Sequence, residues 1–245
     1  MKGVGMMAVL GLMLCTSAAQ AAGEVQLVHV TSSQCAPASG CHRTPYLRGT
    51  VEVQNLAYSK AVTVRYYSWN TGAWADAAAS YVGPSTTGKE LWSFDIGTVG
   101  ATRFAIAYTV NGTTYWDNNG GQDYKVADYQ LDALLTSPDI SGATGQRDTS
   151  KSAVVGNLLV KNRGAQKAVT VVYTDDDWLT TKSAPAAYVA TLPSGIEYWS
   201  FEAPVSTSAA SGKVQLAFKY VHAYGTSWDN NYGHNYRLVN DTVSR

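Results

Sequence analysis

The chain has 245 residues, and 18 Lys or Arg balance 18 Asp or Glu, so its formal net charge at pH 7 is zero. A neutral chain lacks the basic surface that binds nucleic acid and the polybasic segment that binds an anionic membrane, so neither is expected as a partner. The 16 Tyr and 7 Trp outnumber 4 Phe, which favours rings that keep a polar edge in contact with water.

Residues 1–22 have the pattern of a signal peptide. Lys2 supplies the positive start, Val4 to Leu14 the apolar run, and Ala19-Gln20-Ala21 a small-x-small cleavage site. The apolar run is too short to cross a bilayer. We therefore expect an exported protein, secreted or periplasmic, whose mature chain starts near Ala22 or Gly23.

Val25 to Thr31 is predicted as the first strand, and two cysteines follow it. Cys35 and Cys41 are the cysteines left after cleavage, and export permits their oxidation to a disulfide. Two free thiols are the alternative. A metal site would need further ligands nearby, and the four His show no ligand spacing, so we predict no metal and no cofactor.

The chain then repeats itself. The repeat predicts two domains, residues 24–127 (copy one) and 128–240 (copy two). A closing motif, WDNN followed by Tyr, ends each copy at 116–124 and 228–236. Earlier segments match at an offset of 107 residues: 49–55 with 156–162, 60–66 with 167–173, and 92–94 with 199–201.

Apolar residues alternate with polar ones in both copies, as in Val62, Val64 and Tyr66. Period-two alternation with Gly, Asn and Ser turns predicts antiparallel strands in an all-β sandwich or distorted barrel. We expect Tyr129 to Thr136 to be the first strand of copy two. The segment from Ser137 to Ser152 is then an internal loop.

The closing motifs offer chemistry that suits a neutral, hydroxyl-rich ligand. An exposed Trp ring can take the C–H face of a sugar, and Asn amides can take its hydroxyl rim. Asp and Asn also build tight turns, and a strand Trp is often core. The two interpretations combine if Asp117 and Asp229 brace the turn while the rings and amides face solvent.

A second aromatic position lies after the central strand of each copy. Trp74 and Trp178 follow segments rich in Asn, Gly and Asp, and we expect both rings to be exposed. The run Asp175 to Asp177 is not matched by acids in copy one, and nothing in the sequence singles out a catalytic carboxylate pair. We predict that the chain is not an enzyme.

Together the motifs resemble carbohydrate-binding module family 21, in nearly all of each copy. The resemblance rests on residues 55–66, then Trp74, Tyr81, residues 92–94 and residues 115–119. It implies two tandem immunoglobulin-like antiparallel β-sandwich domains that bind α-1,4-glucans such as starch, glycogen and maltooligosaccharides without cleaving them.

The resemblance also implies two sugar sites per copy. Copy one has Asp123 where the family has Asn, an acceptor without an amide donor, and copy two has Ala165 where copy one has Tyr58. The implied first site is Trp74, Trp116 and Asn118 in copy one, and Trp178, Trp228, Asn230 and Asn235 in copy two. The implied second site is Tyr58, Lys60 and Tyr81 in copy one, with Lys167 and Tyr188 remaining in copy two.

Three functions fit these observations. The leading hypothesis is a secreted, non-catalytic tandem α-glucan-binding protein. The alternatives are a secreted β-sandwich adhesion or structural protein whose aromatics are core or interface, and an accessory glucan-binding subunit of a separate amylolytic enzyme. The branch of the family that targets a phosphatase docks through a basic-Val-x-Phe tetrapeptide, which this sequence does not contain.

We predict that Cys35 and Cys41 close a short disulfide loop, which is expected to stabilise the fold by about 2 kcal/mol. Mass spectrometry of exported, unreduced protein should find it lighter by two hydrogens than the reduced form. Two alkylatable thiols in that sample would refute the pairing.

Overall fold

The computed structural model describes residues 19–20, 23–33, 45–69, 71–97 and 101–244. Most of the predicted signal peptide, and both Cys35 and Cys41, lie outside the described residues. Within those residues no helix combines the length and apolar content that a membrane crossing would need.

The described chain is built of strands, as predicted, with two short 3-10 turns at Ser211–Lys213 and Asn231–Gly233. The strands up to residue 135 are β1 (Ala19–Gln20), β2 (Val25–Ser33), β3 (Tyr46–Gln54), β4 (Lys60–Ser68), β5 (Ala73–Ala78), β6 (Ser80–Pro84), β7 (Lys89–Ile96), β8 (Ala101–Val110), β9 (Thr113–Asp117), β10 (Tyr124–Lys125) and β11 (Leu131–Leu135). The remaining strands are β12 (Ile140–Asp148), β13 (Ala153–Lys161), β14 (Lys167–Thr174), β15 (Lys182–Thr191), β16 (Ile196–Pro204), β17 (Gln215–His222), β18 (Gly225–Asp229), β19 (Tyr236–Val239) and β20 (Thr242–Ser244).

Copy one is a sandwich of two sheets. One sheet has the order β1-β9-β8-β4-β5 with β10 beside β8, and the other has the order β11-β2-β3-β7-β6. Alternate residues of β4 and β8, such as Val64 and Ile106, are fully buried between the sheets. The period-two pattern therefore predicted the inner face of this sandwich correctly.

Copy two repeats these strands in a closed ring. Its sheet runs β14-β15-β16-β13-β12-β20-β19-β17-β18, and β14 also pairs with β17. The ring closes on one side because β15 is continuous and pairs with both β14 and β16. In copy one the corresponding stretch is interrupted at Ala79 and forms β5 and β6, one in each sheet.

The first strand of copy two was predicted in the wrong place. The segment expected to open copy two forms β11, which pairs antiparallel with β2 of copy one. The opening strand is instead β12, which pairs with β13 and lies in the segment expected to be a loop. The strand was missed because its glycines show no alternation of apolar and polar side chains. Glycine is needed there, since a Cβ on Gly142 would come within 2.7 Å of Phe218 and one on Gly145 within 2.7 Å of Val243.

Strand β11 also packs against copy two. Its Ala133 and Leu135 share a buried cluster with Leu159, Leu192 and Ile196. Asp132 is 2% exposed and accepts hydrogen bonds from the backbone N–H of Ala127 at 2.8 Å and of Ser194 at 3.0 Å. Copy one therefore meets copy two through a packed, hydrogen-bonded strand.

The aspartate of each WDNN motif reaches across the fold. Asp117 at the end of β9 accepts a hydrogen bond from the backbone N–H of Leu27 in β2 at 2.7 Å, and from the hydroxyl of Tyr124 at 2.8 Å. Leu27 sits where the register of β2 shifts by a β-bulge. Burial raises the pKa of Tyr124, and the charge of Asp117 raises it further, which keeps the hydroxyl protonated as the donor.

Copy two repeats this arrangement with the corresponding residues. Asp229 accepts from the backbone N–H of Gly142 at 2.8 Å and from the hydroxyl of Tyr236 at 2.5 Å. Gly142 lies at the register shift of β12. The expected turn brace is also present, since the N–H of Asn119 and of Asn231 donate to Asp117 and Asp229 at 3.4 Å and 3.2 Å.

Removing one of these carboxylates should destabilise its domain. In Asp117→Ala the Leu27 N–H and the Tyr124 hydroxyl lose their acceptor. Each buried donor left unpaired should lower the free energy of unfolding by about 1–3 kcal/mol. Denaturant unfolding followed by Trp fluorescence measures the loss. The exposed Asp128 provides the control: an Asp128→Ala midpoint as low as that of Asp117→Ala would contradict the bracing role.

Candidate functional site

The copy-one aromatics predicted to bind sugar lie on the outer face of one sheet. Trp116 on β9 pairs with Ala107 of β8, and Trp74 on β5 pairs with Tyr67 of β4. Because Asp117 and Ala77 point inward, alternation directs Trp116 and Trp74 outward. Trp74 is 38% exposed and Trp116 is half-buried. The two rings thus lie on one surface, separated by β4 and β8.

An arginine joins Trp74 to the closing motif. The guanidinium carbon of Arg103 lies 5.2 Å from the Trp74 ring centroid, and its Nε donates to Asp123 at 2.7 Å. The Asp123 carboxylate, which corresponds to Asn235 of copy two, is therefore ion-paired. The N–H groups of Arg103 that do not bond Asp123 can supply the hydrogen-bond donors that an Asn amide would supply. Arg103 was not predicted from the sequence, because it is 20 residues from Asp123 and only the pairing of β8 with β10 brings the two together.

Copy two builds the same position from neutral groups. The indole N–H of Trp178 donates to Oε1 of Gln215 at 3.0 Å, and the amide of Asn235 donates to the same oxygen at 3.4 Å. Gln215 and Asn235 stand 112 residues after Arg103 and Asp123. The neutral pair therefore corresponds to the ion pair of copy one.

Trp74 and Trp178 reach this position by different backbones. Trp74 is a strand residue, whereas Trp178 lies in the loop between β14 and β15 with a left-handed φ of 67°. Its own N–H donates to Thr174 Oγ1 at 3.0 Å. The predicted loop position is correct for Trp178, but its ring is half-buried and not exposed as expected, because its indole N–H is bonded to Gln215. In copy one the exposed Trp74 ring sits on an edge strand.

The acidic run before Trp178 is structural. Asp175 pairs with Lys182 at 2.7 Å, and Asp177 accepts from Gln215 at 2.6 Å. Asp176 accepts from the hydroxyl of Thr174 at 2.7 Å and from the backbone N–H of Thr180 at 2.9 Å. All three carboxylates are thus engaged by groups of this loop and its neighbours.

The closing-motif asparagines offer donors to solvent. Oδ1 of Asn118 accepts from the Gly121 N–H at 2.9 Å, and Oδ1 of Asn230 accepts from the Gly233 N–H at 3.0 Å. Each turn occupies the carbonyl and leaves the NH2 group to donate outward. Beside Asn230, Trp228 is 51% exposed, with the Lys219 ammonium 5.7 Å from its ring centroid.

The predicted second site of copy one has two exposed rings beside a buried ion pair. Tyr58 is fully exposed and Tyr81 is 55% exposed. The Lys60 ammonium donates to Asn55 at 2.6 Å and to Glu90 at 2.7 Å, and its side chain is 5% exposed. Two of its three N–H groups are therefore used within the domain, which positions the segment that carries Tyr58.

Copy two keeps this frame and lacks one ring. Lys167 donates to Asn162 at 3.0 Å and to Glu197 at 2.5 Å, and Tyr188 is 52% exposed. Ala165 stands in the exposed position that Tyr58 fills in copy one. In the part of the chain that is described, no three His, Cys, Asp or Glu side chains are grouped to hold a metal ion.

Comparison with known proteins matches both copies. The model of the carbohydrate/starch-binding module, family 21, matches residues 24–127 and 139–239. Glucoamylase 1 of Rhizopus oryzae is 42% identical over 84 residues, covering 32% of this chain and 14% of that protein. Protein phosphatase 1 regulatory subunit 3B of Homo sapiens is 34% identical over 102 residues, covering 38% of this chain and 36% of that protein.

Two solved structures are similar over a single domain. The starch-binding domain of Rhizopus oryzae glucoamylase, in complex with β-cyclodextrin and maltoheptaose, is 32% identical, with a TM-score of 0.35 and coverage of 45% of this chain and 99% of that one. The carbohydrate-binding module of the muscle glycogen-targeting subunit of protein phosphatase-1 is 25% identical, with a TM-score of 0.37 and coverage of 44% and 78%.

The loop that carries Trp178 should lose its anchor in acid. Hydrogen bonds from the Thr174 hydroxyl and from Thr180 hold the pKa of Asp176 at about 2, below its ordinary 3.8. Because the pKa of Asp176 is lower in the folded state, its ionised carboxylate stabilises the folded loop fully above about pH 4. This stabilisation is lost as the pH falls through about 2.

The difference in thermal midpoint between the parent and Asp176→Asn should be largest above pH 4 and shrink towards pH 2. Asp128→Asn, at an exposed position, controls for the loss of one surface charge. A difference that stays constant across this range would show that the Asp176 carboxylate does not anchor the loop.

Proposed function

The chain belongs to carbohydrate/starch-binding module family 21, and from that membership we propose that it is an exported, non-catalytic protein that binds α-1,4-glucan with two tandem modules. Export is supported by the signal-peptide pattern of residues 1–22. The ligands that fit the proposal are starch, glycogen and maltooligosaccharides.

The observation that carries the proposal is a pair of surface aromatics repeated in both copies, Trp74 with Trp116 and Trp178 with Trp228. Trp74 and Trp228 are exposed and Trp116 and Trp178 are half-buried, and amide or guanidinium donors stand beside them. A glucosyl ring presents C–H groups on a face and hydroxyls at its rim, so rings and donors of this kind match it without any charge on the ligand.

A binding role rather than hydrolysis is supported by the state of the nearby acids. Glycoside hydrolysis uses two carboxyl groups that flank the scissile bond, one of them protonated. Asp117 and Asp229 are committed to backbone N–H and Tyr hydroxyl groups. Asp176 has a lowered pKa, the opposite of what a general acid requires.

The exposure of Trp74 and Trp228 disfavours a purely structural or adhesive protein whose aromatics are core. An accessory role beside a separate amylolytic enzyme uses the same surfaces, and the proposal includes it as the biological setting. This chain spans 14% of the glucoamylase and 36% of the phosphatase subunit that it resembles, so the activities of those whole proteins are not assigned to it.

Binding should be direct and should depend on the exposed rings. We expect the mature protein to sediment with insoluble starch and to release no reducing sugar. In Trp74→Ala and Trp178→Ala each lost platform should weaken maltoheptaose binding by about 1–3 kcal/mol, by analogy with base–aromatic stacking. Tyr129→Ala, at another exposed ring, is the control. Unfolding of either Trp variant, or unchanged affinity, would count against the assignment.

The two copies should differ in the number of glucans they hold. We expect the full chain to bind about three short cyclic glucans and Tyr58→Ala about two, because an Ala side chain cannot cover a sugar face. Ala165→Tyr should add a site to copy two, where Lys167 and Tyr188 are already in place. A stoichiometry that neither substitution changes would remove the second site from the proposal.

A further inference from the structure

The two closing motifs have different surroundings. A groove of about 300 Å³ lies beside the motif of copy two, and Trp228, Asn230 and Tyr232 line one side of it. The groove beside the motif of copy one is lined by Asn119, residues 122–125 and residues 134–136, and neither Trp116 nor Asn118 lines it. The copy-two groove is therefore lined by Trp228, a ring predicted to bind sugar, whereas this copy-one groove is lined by other residues of its motif.

Part of the copy-two groove is lined by the connection between the copies. Residues 136–139 (the linker) join β11 to β12, and Ser137 and Pro138 line the groove together with Val28 of copy one. Ser137 is exposed and Val28 is buried, so the linker forms a wall and the first domain contributes to the bottom.

This wall is held in place at several points. The N–H of Thr136 donates to the carbonyl of Val28 at 3.1 Å, and the Lys161 ammonium donates to the Thr136 carbonyl at 2.8 Å. Asp139 accepts from the guanidinium of Arg163 at 2.6 Å, and Ser141 contacts His29 of copy one at 3.3 Å. Both ends of the linker are thus fixed, which preorganises the groove for a ligand.

The dimensions and lining of the groove suit part of a glucan chain. Its volume is at the lower end of the range of small-molecule pockets, about 300–1,000 Å³. Trp228 and Asn230 line it, and its other lining includes Ser137 and Pro138. An apolar surface with a few polar groups matches a sugar, which has both kinds of surface.

We infer that the glucan site of copy two is composite: the linker, at Ser137 and Pro138, and Val28 of copy one complete the groove that begins at Trp228 and Asn230. The inference rests on the proposed glucan binding. It makes Ser137 and Pro138 specificity-determining residues for copy two, and it makes the tandem arrangement part of the site.

The test fills the groove in a full chain in which copy one no longer binds. In a Tyr58→Ala, Trp74→Ala, Trp116→Ala background, Ser137→Arg should weaken maltoheptaose binding about ten-fold or more by calorimetry, because the long side chain occupies the groove. Pro138→Ala, which trims the wall, should weaken it about two- to five-fold. Ser208→Arg, at an exposed loop, adds the same charge elsewhere and should leave the affinity unchanged.

The reciprocal background separates the two proposals. With Trp178→Ala and Trp228→Ala, Ser137→Arg should have no effect, because neither Ser137 nor Pro138 lines the groove beside the copy-one motif. Unchanged affinity of Ser137→Arg and Pro138→Ala in the first background, with thermal midpoints equal to the parent, would overturn the composite site alone. Failure of the unsubstituted chain to bind maltoheptaose would overturn glucan binding itself and the composite site with it.

Discussion

The carboxylate of each WDNN aspartate is the contact on which both the fold and the candidate site depend. Asp117 and Asp229 each accept a backbone N–H from a bulged opening strand and a hydroxyl from the tyrosine that ends the motif. The same carboxylates take the N–H of the following turn. Because the side chains alternate, a residue fixed inward at Asp117 or Asp229 directs the preceding Trp outward and sets the Asn turn beside it. The structural and the binding interpretations of the motif are therefore two consequences of one hydrogen-bonded group.

Much of the fold followed from the sequence, and each of the two exceptions has a physical cause. Alternating Val, Ile and Tyr residues located β4, β8, β14 and β17, since one face of each strand is buried. Strand β12 was missed because Gly142 and Gly145 have no side chain to show the alternation, and the space of a Cβ there is taken by Phe218 and Val243. Strand β11 was predicted to open copy two, but its backbone pairs with β2, Leu134 packs against the copy-one core, and Ala133 and Leu135 pack against copy two. Pairing partners across a domain boundary are not encoded in local periodicity.

The aromatic rings of the site could be predicted from the sequence, but the polar pairs beside them could not. The exposed Trp and Tyr residues could be named from motifs, but the Arg103–Asp123 pair and its neutral counterpart, Gln215 with Asn235, arise only when β8 meets β10 and β17 meets β19. These pairs show how copy one tolerates Asp at an Asn position: the added charge is balanced by an arginine that also lies over Trp74. Likewise Lys60 and Lys167, which the sequence placed at the sugar, form nearly buried ion pairs beneath the exposed tyrosines.

We propose that Trp74, Trp116, Trp178 and Trp228 hold α-glucan while Trp199 supports the core, and the indole N–H resonances of the seven Trp test this directly. In a titration of the full-length mature protein with maltoheptaose, the resonances of Trp74, Trp116, Trp178 and Trp228 should shift with saturation. That of Trp199, which is 8% exposed and donates to Glu197 at 3.0 Å, should remain in place. Shifts confined to Trp199, or no shift of the four outward rings at saturating sugar, would contradict the assignment of both binding surfaces.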